Sequence, residues 1–332
     1  STISPERIQQ LGFGYAAPLI IEAAVQHRVF DHLSAGPRTL DDVVAATGAS
    51  SRGLRALLNA LVGLDLLRKE GDHYALTDES IEYLVSTSAS YQGGLFRHIS
   101  RQLLPHWMQL SESVRTGQPA AAVNQEEVGG EFFHSFVEDL FPRSYPAAQR
   151  LCENVSLPAD NIAGVLDLAA GSGVWSIPFA ERNDNVRVTA VDWPEVIPVT
   201  RRITQRHNVS EQYSFVEGDL LEVDFGADYQ VATLGHILHS EGESRSRRLL
   251  DKVFAALAPG GTIAIPEMVP DDDRTGPTFA LVFAVNMLVH TEEGDAFTFG
   301  EISGWLQSSG FVECRQLEVP TASPLILADK PA

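Results

Sequence analysis

A doubly wound parallel α/β sheet, preceded by a smaller helical unit, is the fold class this sequence predicts, and three observations predict it. From Ile162 onward, short β-rich runs (GVLDLAA, VRVTAVD, YSFVEG, YQVATLG, TIAIPEM) alternate with helical stretches. The first of these runs ends in a glycine-bearing turn, Ala170-Gly171-Ser172-Gly173, that opens a helix. Before residue 95 the pattern is helix, helix and short hairpin, which is that of a winged helix. The pattern changes near residues 95 and 160, giving segments 1–95, 96–160 and 161–332.

The first segment opens with an expected helix from Leu19 to Leu33. Thr39, with Asp42 three residues on, caps a second helix closed by Gly48. Leu54, Leu57, Leu58, Leu61 and Leu64 then form one apolar stripe of a third. Gly71-Asp72 turns the chain between two short strands, and Thr77 caps a further helix. Arg52 and Arg55 fall on the would-be recognition helix, but the segment holds seven Lys and Arg against eleven Asp and Glu. An acidic winged helix with an apolar stripe is expected to pack against protein, as a homodimer, and not against DNA. Segment 96–160 is helical and aromatic, with Phe96, Trp107, Phe132, Phe133, Phe136 and Phe141, and reads as a connector. At the other end, FVECRQLEV and PLILADK leave no room for a helix between them and read as an antiparallel hairpin.

Composition narrows the function. The 332 residues carry 24 Lys and Arg against 44 Asp and Glu, a net charge of −20, which disfavours nucleic acid and anionic lipid as partners. Only Cys152 and Cys314 are present, without a CxxC, so neither a disulfide framework nor a thiolate zinc site is expected, and a reducing cytoplasm is the simplest setting. The nearly apolar run Phe279–Val289 is about half the ~20 residues a membrane span needs. The leading STISPERIQQ lacks the order of a signal peptide.

The chemistry concentrates after the strands. Glycines at 171 and 173 let backbone approach a nucleotide-like ligand, and two ligand classes compete: a dinucleotide and S-adenosylmethionine. Asp167, at the strand end, would repel a pyrophosphate but could help hold the ammonium of a methionine moiety. Asp192 ends the second strand, where a carboxylate accepts from ribose hydroxyls. Asp219, with Leu220 beside it, is placed to meet the adenine edge, Trp193 offers the ring a face, and Gly235 follows the fourth strand. The turn-forming reading of Asp219 stays open.

DLAAGSG, the acid in VDW, the GD of EGDLLE and the LAPGG before the fifth strand resemble the class I S-adenosylmethionine-dependent methyltransferases. More closely, the whole chain resembles the O-methyltransferases with an N-terminal winged-helix dimerisation domain, the group of caffeate and hydroxyneurosporene O-methyltransferases. The resemblance implies a seven-stranded sheet, S-adenosylmethionine as cofactor, a small-molecule acceptor and a homodimer. It also implies a catalytic His after the fourth strand, where the family motif ends LHDW; His239 aligns with it. An imidazole titrates near neutrality and can take the proton of a hydroxyl or phenol as the oxygen attacks the methyl. Two flanking Glu residues accompany that His in the family. Glu267 matches the first; the second falls near Ala296, leaving Asp295 as a substitute.

Ser240 and Glu241 replace the usual Asp-Trp, and Ala169 replaces the first loop glycine. His236 and His239 with Glu241 or Glu243 offer a metal reading, less favoured than a metal-free one. Phe136, Phe141 and Asn286 are candidate substrate contacts, whereas His290 is read as structural and Asp271-Asp272-Asp273 as a solvated loop. The expected activity is methyl transfer to a hydroxyl of a small aromatic or polyketide-like metabolite. The alternatives are N-, S- or C-methylation, a non-methylating reaction on the same fold, or a winged-helix regulator.

Overall fold

The computed structural model describes residues 3–134, 136–157, 161–319 and 323–332. It divides into two compact units, Ser1–Pro105 and His106–Ala332. The segment boundary expected at residue 160 lies outside the described residues.

In the first unit, the stretch expected as one helix is two, Ala16–Gln26 and Val29–Leu33, because Arg28 adopts a left-handed φ of 53° that ends the first. The Thr39 hydroxyl accepts from the Asp42 N–H, and the Asp42 carboxylate accepts from Thr39 N, capping the helix Leu40–Thr47 reciprocally. Strands β1 (Arg38–Thr39), β2 (Leu67–Glu70) and β3 (His73–Leu76) form a small antiparallel sheet in the order β1-β3-β2, with Gly71-Asp72 as the two-residue turn of the hairpin. Leu54, Leu58 and Leu61 of the helix Ser51–Gly63 are buried against Val29, Phe30, Leu33 and Tyr74. The unit therefore buries three of the five stripe leucines by itself, leaving Leu57 half-buried and Leu64 exposed. Its exposed large apolar residues cluster near the start, with Ile8, Leu11, Phe13 and Tyr15 the main group, and recur at Leu64, Ile81 and Tyr83.

The second unit is built on seven strands: β4 (Ala163–Leu168), β5 (Val186–Asp192), β6 (Tyr213–Glu217), β7 (Tyr229–Leu234), β8 (Leu257–Pro266), β9 (Val312–Leu317) and β10 (Leu325–Asp329). Their order is β6-β5-β4-β7-β8-β10-β9, with β4 to β8 parallel and β10 antiparallel to both neighbours. The sheet is the expected parallel one ending in an antiparallel hairpin. Val165, Val188 and Val231 point into one apolar layer and Leu166, Val191 and Ala232 into the other, as strands covered on both faces require. Strand order reverses between β4 and β7, so the carboxyl ends of β4, β5 and β7 open a crevice there. Among the described residues no helix is long and apolar enough to cross a membrane.

Candidate active site

The crevice is a cavity of about 970 Å³ measured to its open mouth, at the upper end of the range of small-molecule sites. Gly171, Asp192, Trp193, Asp219, Leu220 and Gly235 lie on its wall. The helix Val137–Asn154 supplies Val137, Leu140 and Ser144 from one face, as their spacing of three and four dictates.

Asp192 is the best-held group on that wall. Its Oδ2 accepts from Gly171 N at 2.7 Å and its Oδ1 from its neighbour Trp193 N at 2.7 Å. Burial nevertheless pushes its pKa up to about 6, because two backbone N–H donors only partly replace the lost water. Lone pairs remain on both oxygens for hydroxyl donors at the site. The Trp193 ring lies 6.0 Å from that of Phe133, making an aromatic flank. Gly235 has no side chain for a steric reason: a Cβ there would stand 2.3 Å from the Trp175 indole. Ala169 stands where the family has glycine and holds a left-handed φ of 50°, so the turn keeps its glycine geometry at a cost on the order of 1 kcal/mol.

Two expected cofactor contacts, Asp167 and Gly173, lie off the cavity wall, and a third, Asp219, lies on it with its carboxylate already engaged. Asp167 is fully buried behind the wall, its carboxylate accepting from Ser176 Oγ at 2.5 Å and Thr233 Oγ1 at 2.7 Å. Burial pushes its pKa up to about 7, and it does not line the cavity. Gly173 shapes the turn, donating its N–H to Ala170 O at 2.7 Å, without forming the wall. Asp219 reaches the wall with its carboxylate already engaged: Oδ1 accepts from Leu221 N at 2.8 Å, as the turn reading requires, and Oδ2 pairs with Arg245 at 2.7 Å. Arg245 also bonds Glu241 Oε2 at 2.6 Å. This Glu241–Arg245–Asp219 bridge is not among the expected contacts, although Glu241 and Arg245 stand at the i, i+4 spacing of a helical ion pair.

The donor set suits a ligand without phosphate. A buried and a half-buried carboxylate lie behind and beside the glycine turn, and, among the described residues, the one cation on the cavity wall, Arg245, is committed to two acids. A pyrophosphate would meet repulsion, whereas a ribose hydroxyl pair and a sulfonium would not.

Next to the cavity, His239 sits on a single helical turn starting at Leu238. Gly242 breaks this turn from the rest of the helix with a φ of 73°, and a Cβ there would stand 2.7 Å from Glu293. The loop before it puts His236 in a left-handed φ of 57°, its N–H donating to Pro266 O at 3.1 Å. Glu267, at the end of β8, therefore lies beside the turn. It accepts from His239 Nδ1 at 2.7 Å through Oε2 and from His239 N at 3.2 Å through Oε1. Burial works to raise the Glu267 pKa, but the adjoining imidazoles and the hydrogen bonds from His239 overcome it and hold the pKa below its ordinary value. A carboxylate can only accept, so Nδ1 carries the proton and Nε2 the free lone pair. The His239 ring meets Phe283 edge-on at 4.9 Å.

The remaining expected contacts divide. Asn286 faces Trp107, whose Nε1 donates to its Oδ1 at 2.8 Å. Phe136 is buried among Phe132 and Phe133, off the cavity wall. Phe141 stacks on Tyr145 and His207, with centroids 5.0 and 4.8 Å away, so it belongs to the seam with the helix Ile197–Arg206 and not to the site. Asp295 donates its backbone N–H to His239 O at 2.9 Å, while its carboxylate accepts from Ala296 N and faces Arg274 at 3.9 Å. It holds the turn through backbone and does not orient the imidazole as a second Glu would. Glu241 and Glu243, which a metal reading needs, are bonded to Arg245 and Arg247. His290 Nδ1 donates to Asn286 O at 2.9 Å within its own helix, a structural placement.

Comparison with known proteins agrees with this geometry. Residues 107–312 match the O-methyltransferase domain model and residues 9–86 the O-methyltransferase dimerisation domain model. The 3-hydroxy-5-methyl-1-naphthoate 3-O-methyltransferase of Streptomyces sahachiroi is 29% identical over 96% of this chain and 92% of its own. The tetracenomycin polyketide synthesis 8-O-methyltransferase of Streptomyces glaucescens is 28% identical over 98% and 97%. The crystal structure of human N-acetylserotonin methyltransferase in complex with S-adenosylmethionine superposes with a TM-score of 0.85 at 25% identity, covering 100% of this chain and 99% of that one. A crevice that suits a ribose and a sulfonium, a carboxylate-held imidazole beside it and a matched domain over most of the second unit have one common explanation: this chain belongs to the O-methyltransferase family and is an S-adenosylmethionine-dependent methyltransferase.

Proposed function

We propose that the enzyme methylates a phenolic hydroxyl of a small aromatic or polyketide-derived metabolite, with His239 as general base and Glu267 as its orienting partner, without a metal. The observation that carries this reading is the 2.7 Å contact between His239 Nδ1 and Glu267, which leaves Nε2 free to take a proton. The bound cofactor supplies an electrophilic methyl on a sulfonium. Asp192 holds the ribose, Trp193, Leu220 and Asp219 frame the adenine, Gly171 admits the ligand by leaving space, and Gly235 on the wall makes room for the Trp175 ring behind it. Phe283, Asn286 and Trp107 set the acceptor plane, and Nε2 receives the hydroxyl proton as Glu267 stabilises the imidazolium. Two relatives whose names specify aromatic polyketide or naphthoate acceptors support that substrate class.

The test is methyl transfer under cofactor saturation. His239→Ala should lower turnover about 10²- to 10⁴-fold with the affinity for S-adenosylhomocysteine unchanged, and Glu267→Gln should fall between that and wild type. Full turnover in His239→Ala would refute the base assignment.

The working form is proposed to be a homodimer through the first 95 residues, in keeping with the dimerisation domain at 9–86 and the exposed Ile8, Leu11, Phe13 and Tyr15. Light scattering at micromolar concentration should give twice the chain mass; a monomer that is fully active would refute it.

A further inference from the structure

The cavity wall holds two buried side-chain atoms that, among the described residues, have no hydrogen-bond partner: Asn124 Oδ1 and His236 Nε2. A polar atom withdrawn from water without a partner is costly, so on a ligand cavity it marks a group that the ligand supplies. The His236 ring stands 5.7 Å from that of Trp175 and 6.4 Å from that of His239, which puts it at the reacting end of the site. Asn124 belongs to the flank that carries Trp193. Gly129 fits between the Val123 carbonyl and the Trp193 ring, where a Cβ would overlap both, so the residue after Val123 lies beside the indole. Its neighbours on either side are anchored: Val123 N donates to His290 O at 2.8 Å, and Gln125 Nε2 to Glu292 Oε1 at 2.9 Å. The carboxamide is therefore held at the wall before a ligand arrives, which lowers the ordering cost of any bond it makes.

The cofactor brings few donors to this flank. Its ribose hydroxyls are matched by Asp192, and its sulfonium has no N–H or O–H. With the base at Trp193, the covalent order of the molecule carries the methionine ammonium away, past the ribose. The adenine amine remains, and both oxygens of Asp219, the expected acceptor at the adenine edge, are engaged, Oδ1 by Leu221 N at 2.8 Å and Oδ2 by Arg245 at 2.7 Å. We infer that Asn124 reads the adenine edge of S-adenosylmethionine, accepting from the N6 amine through Oδ1, and so sets a preference for adenine over a 6-oxo purine. A carboxamide carries an acceptor and a donor side by side, the pair that matches the N6 amine and N7 of adenine. Hypoxanthine presents a carbonyl oxygen in place of the amine and leaves Oδ1 buried and unpaired. The inference rests on the reading above that Trp193 frames the adenine and Asp192 holds the ribose.

The full-length enzyme is titrated calorimetrically with S-adenosylhomocysteine and with S-inosylhomocysteine, its 6-oxo analogue. Wild type should bind the adenosyl ligand about ten- to hundredfold more tightly, the range expected when a buried acceptor loses its donor. Asn124→Leu, similar in size and without polar atoms, should bring the two dissociation constants within about threefold, chiefly by weakening the adenosyl ligand. Asn124→Asp should widen the preference beyond wild type, because a carboxylate cannot turn a donor toward the 6-oxo group. Asp219→Asn should keep the wild-type ratio. Equal binding of both ligands by wild type, or a preference that survives in Asn124→Leu, overturns the proposal, and so does an Asn124→Asp variant whose preference is unchanged or smaller. A ratio lost in Asp219→Asn and kept in Asn124→Leu gives the amine to Asp219. If Oδ1 instead paired with a ribose hydroxyl, Asn124→Leu would weaken both ligands alike and leave the ratio intact, which also overturns it. Asp192→Ala should weaken both ligands together; undiminished binding there would count against the placement of the ribose alone.

Discussion

On the side of the crevice that carries Asp192, the wall is made of backbone: Gly171 N–H and Trp193 N–H grip one carboxylate, and Gly235 leaves room for the Trp175 ring. Beside the crevice, around His239, the contacts are made by side chains drawn from distant segments. Glu267 comes from the end of β8, Phe283 and Asn286 from one helix, and Trp107 from another. Short-range backbone geometry tolerates little change of residue, whereas long-range side-chain packing can be altered position by position without disturbing the sheet. The first side is thus suited to a ligand that never changes and the second to one that differs between relatives.

Removing one functional side chain from each side tests this division. Asp192→Ala should weaken S-adenosylhomocysteine binding about ten- to hundredfold, since a charged acceptor to hydroxyls contributes roughly 1.5–3 kcal/mol. Its turnover at saturating cofactor should stay close to wild type. His239→Ala should show the opposite split, with normal binding and depressed turnover. If both variants lost binding and turnover together, the two sides would be one cooperative unit and the division would fail.

The same division explains what the sequence made legible. The strands, the hairpin at the end, the Thr39 cap and the acid at Asp192 follow from period, turn chemistry and strand-end position, all of which are local. His239 and Glu267 were found through the family motif, and their contact followed from both lying at the ends of adjacent strands, β7 and β8. The errors are of the non-local kind. Asp167 is spaced correctly for the cavity, but Ser176 and Thr233 claim its carboxylate from behind. Phe141 is on the right helix but one residue past Leu140, which turns it toward Tyr145 and His207. Asp295 is next to the right position, yet Arg274 and Ala296 take its carboxylate.

A smaller effect sharpens the comparison further, through pH. Burial pushes the Asp192 pKa up to about 6, so in the cofactor-free enzyme the carboxyl is protonated below that pH and ionised above it. The folded value lies above the unfolded one, so the folded state holds the extra proton between the two. Folding stability of the free enzyme should therefore fall as pH rises from about 4 toward 6. Ligand hydroxyls donating to the carboxylate favour its ionised form, which makes binding compete with that proton. For a group titrating near 6, the dissociation constant of S-adenosylhomocysteine should rise about fourfold between pH 7.5 and pH 5.5. Asp167, pushed up to about 7 and electrostatically coupled to Asp192, titrates in the same interval, but its carboxylate is enclosed by Ser176 and Thr233 away from the ligand. The assignment is thus settled by two variants: Asp192→Asn should bind weakly with a flat pH profile, and Asp167→Asn should keep the acid-side weakening. A profile that flattens in Asp167→Asn and persists in Asp192→Asn would move the proton-linked group behind the wall, and the strand-end carboxylate would lose its place as the ligand's acceptor.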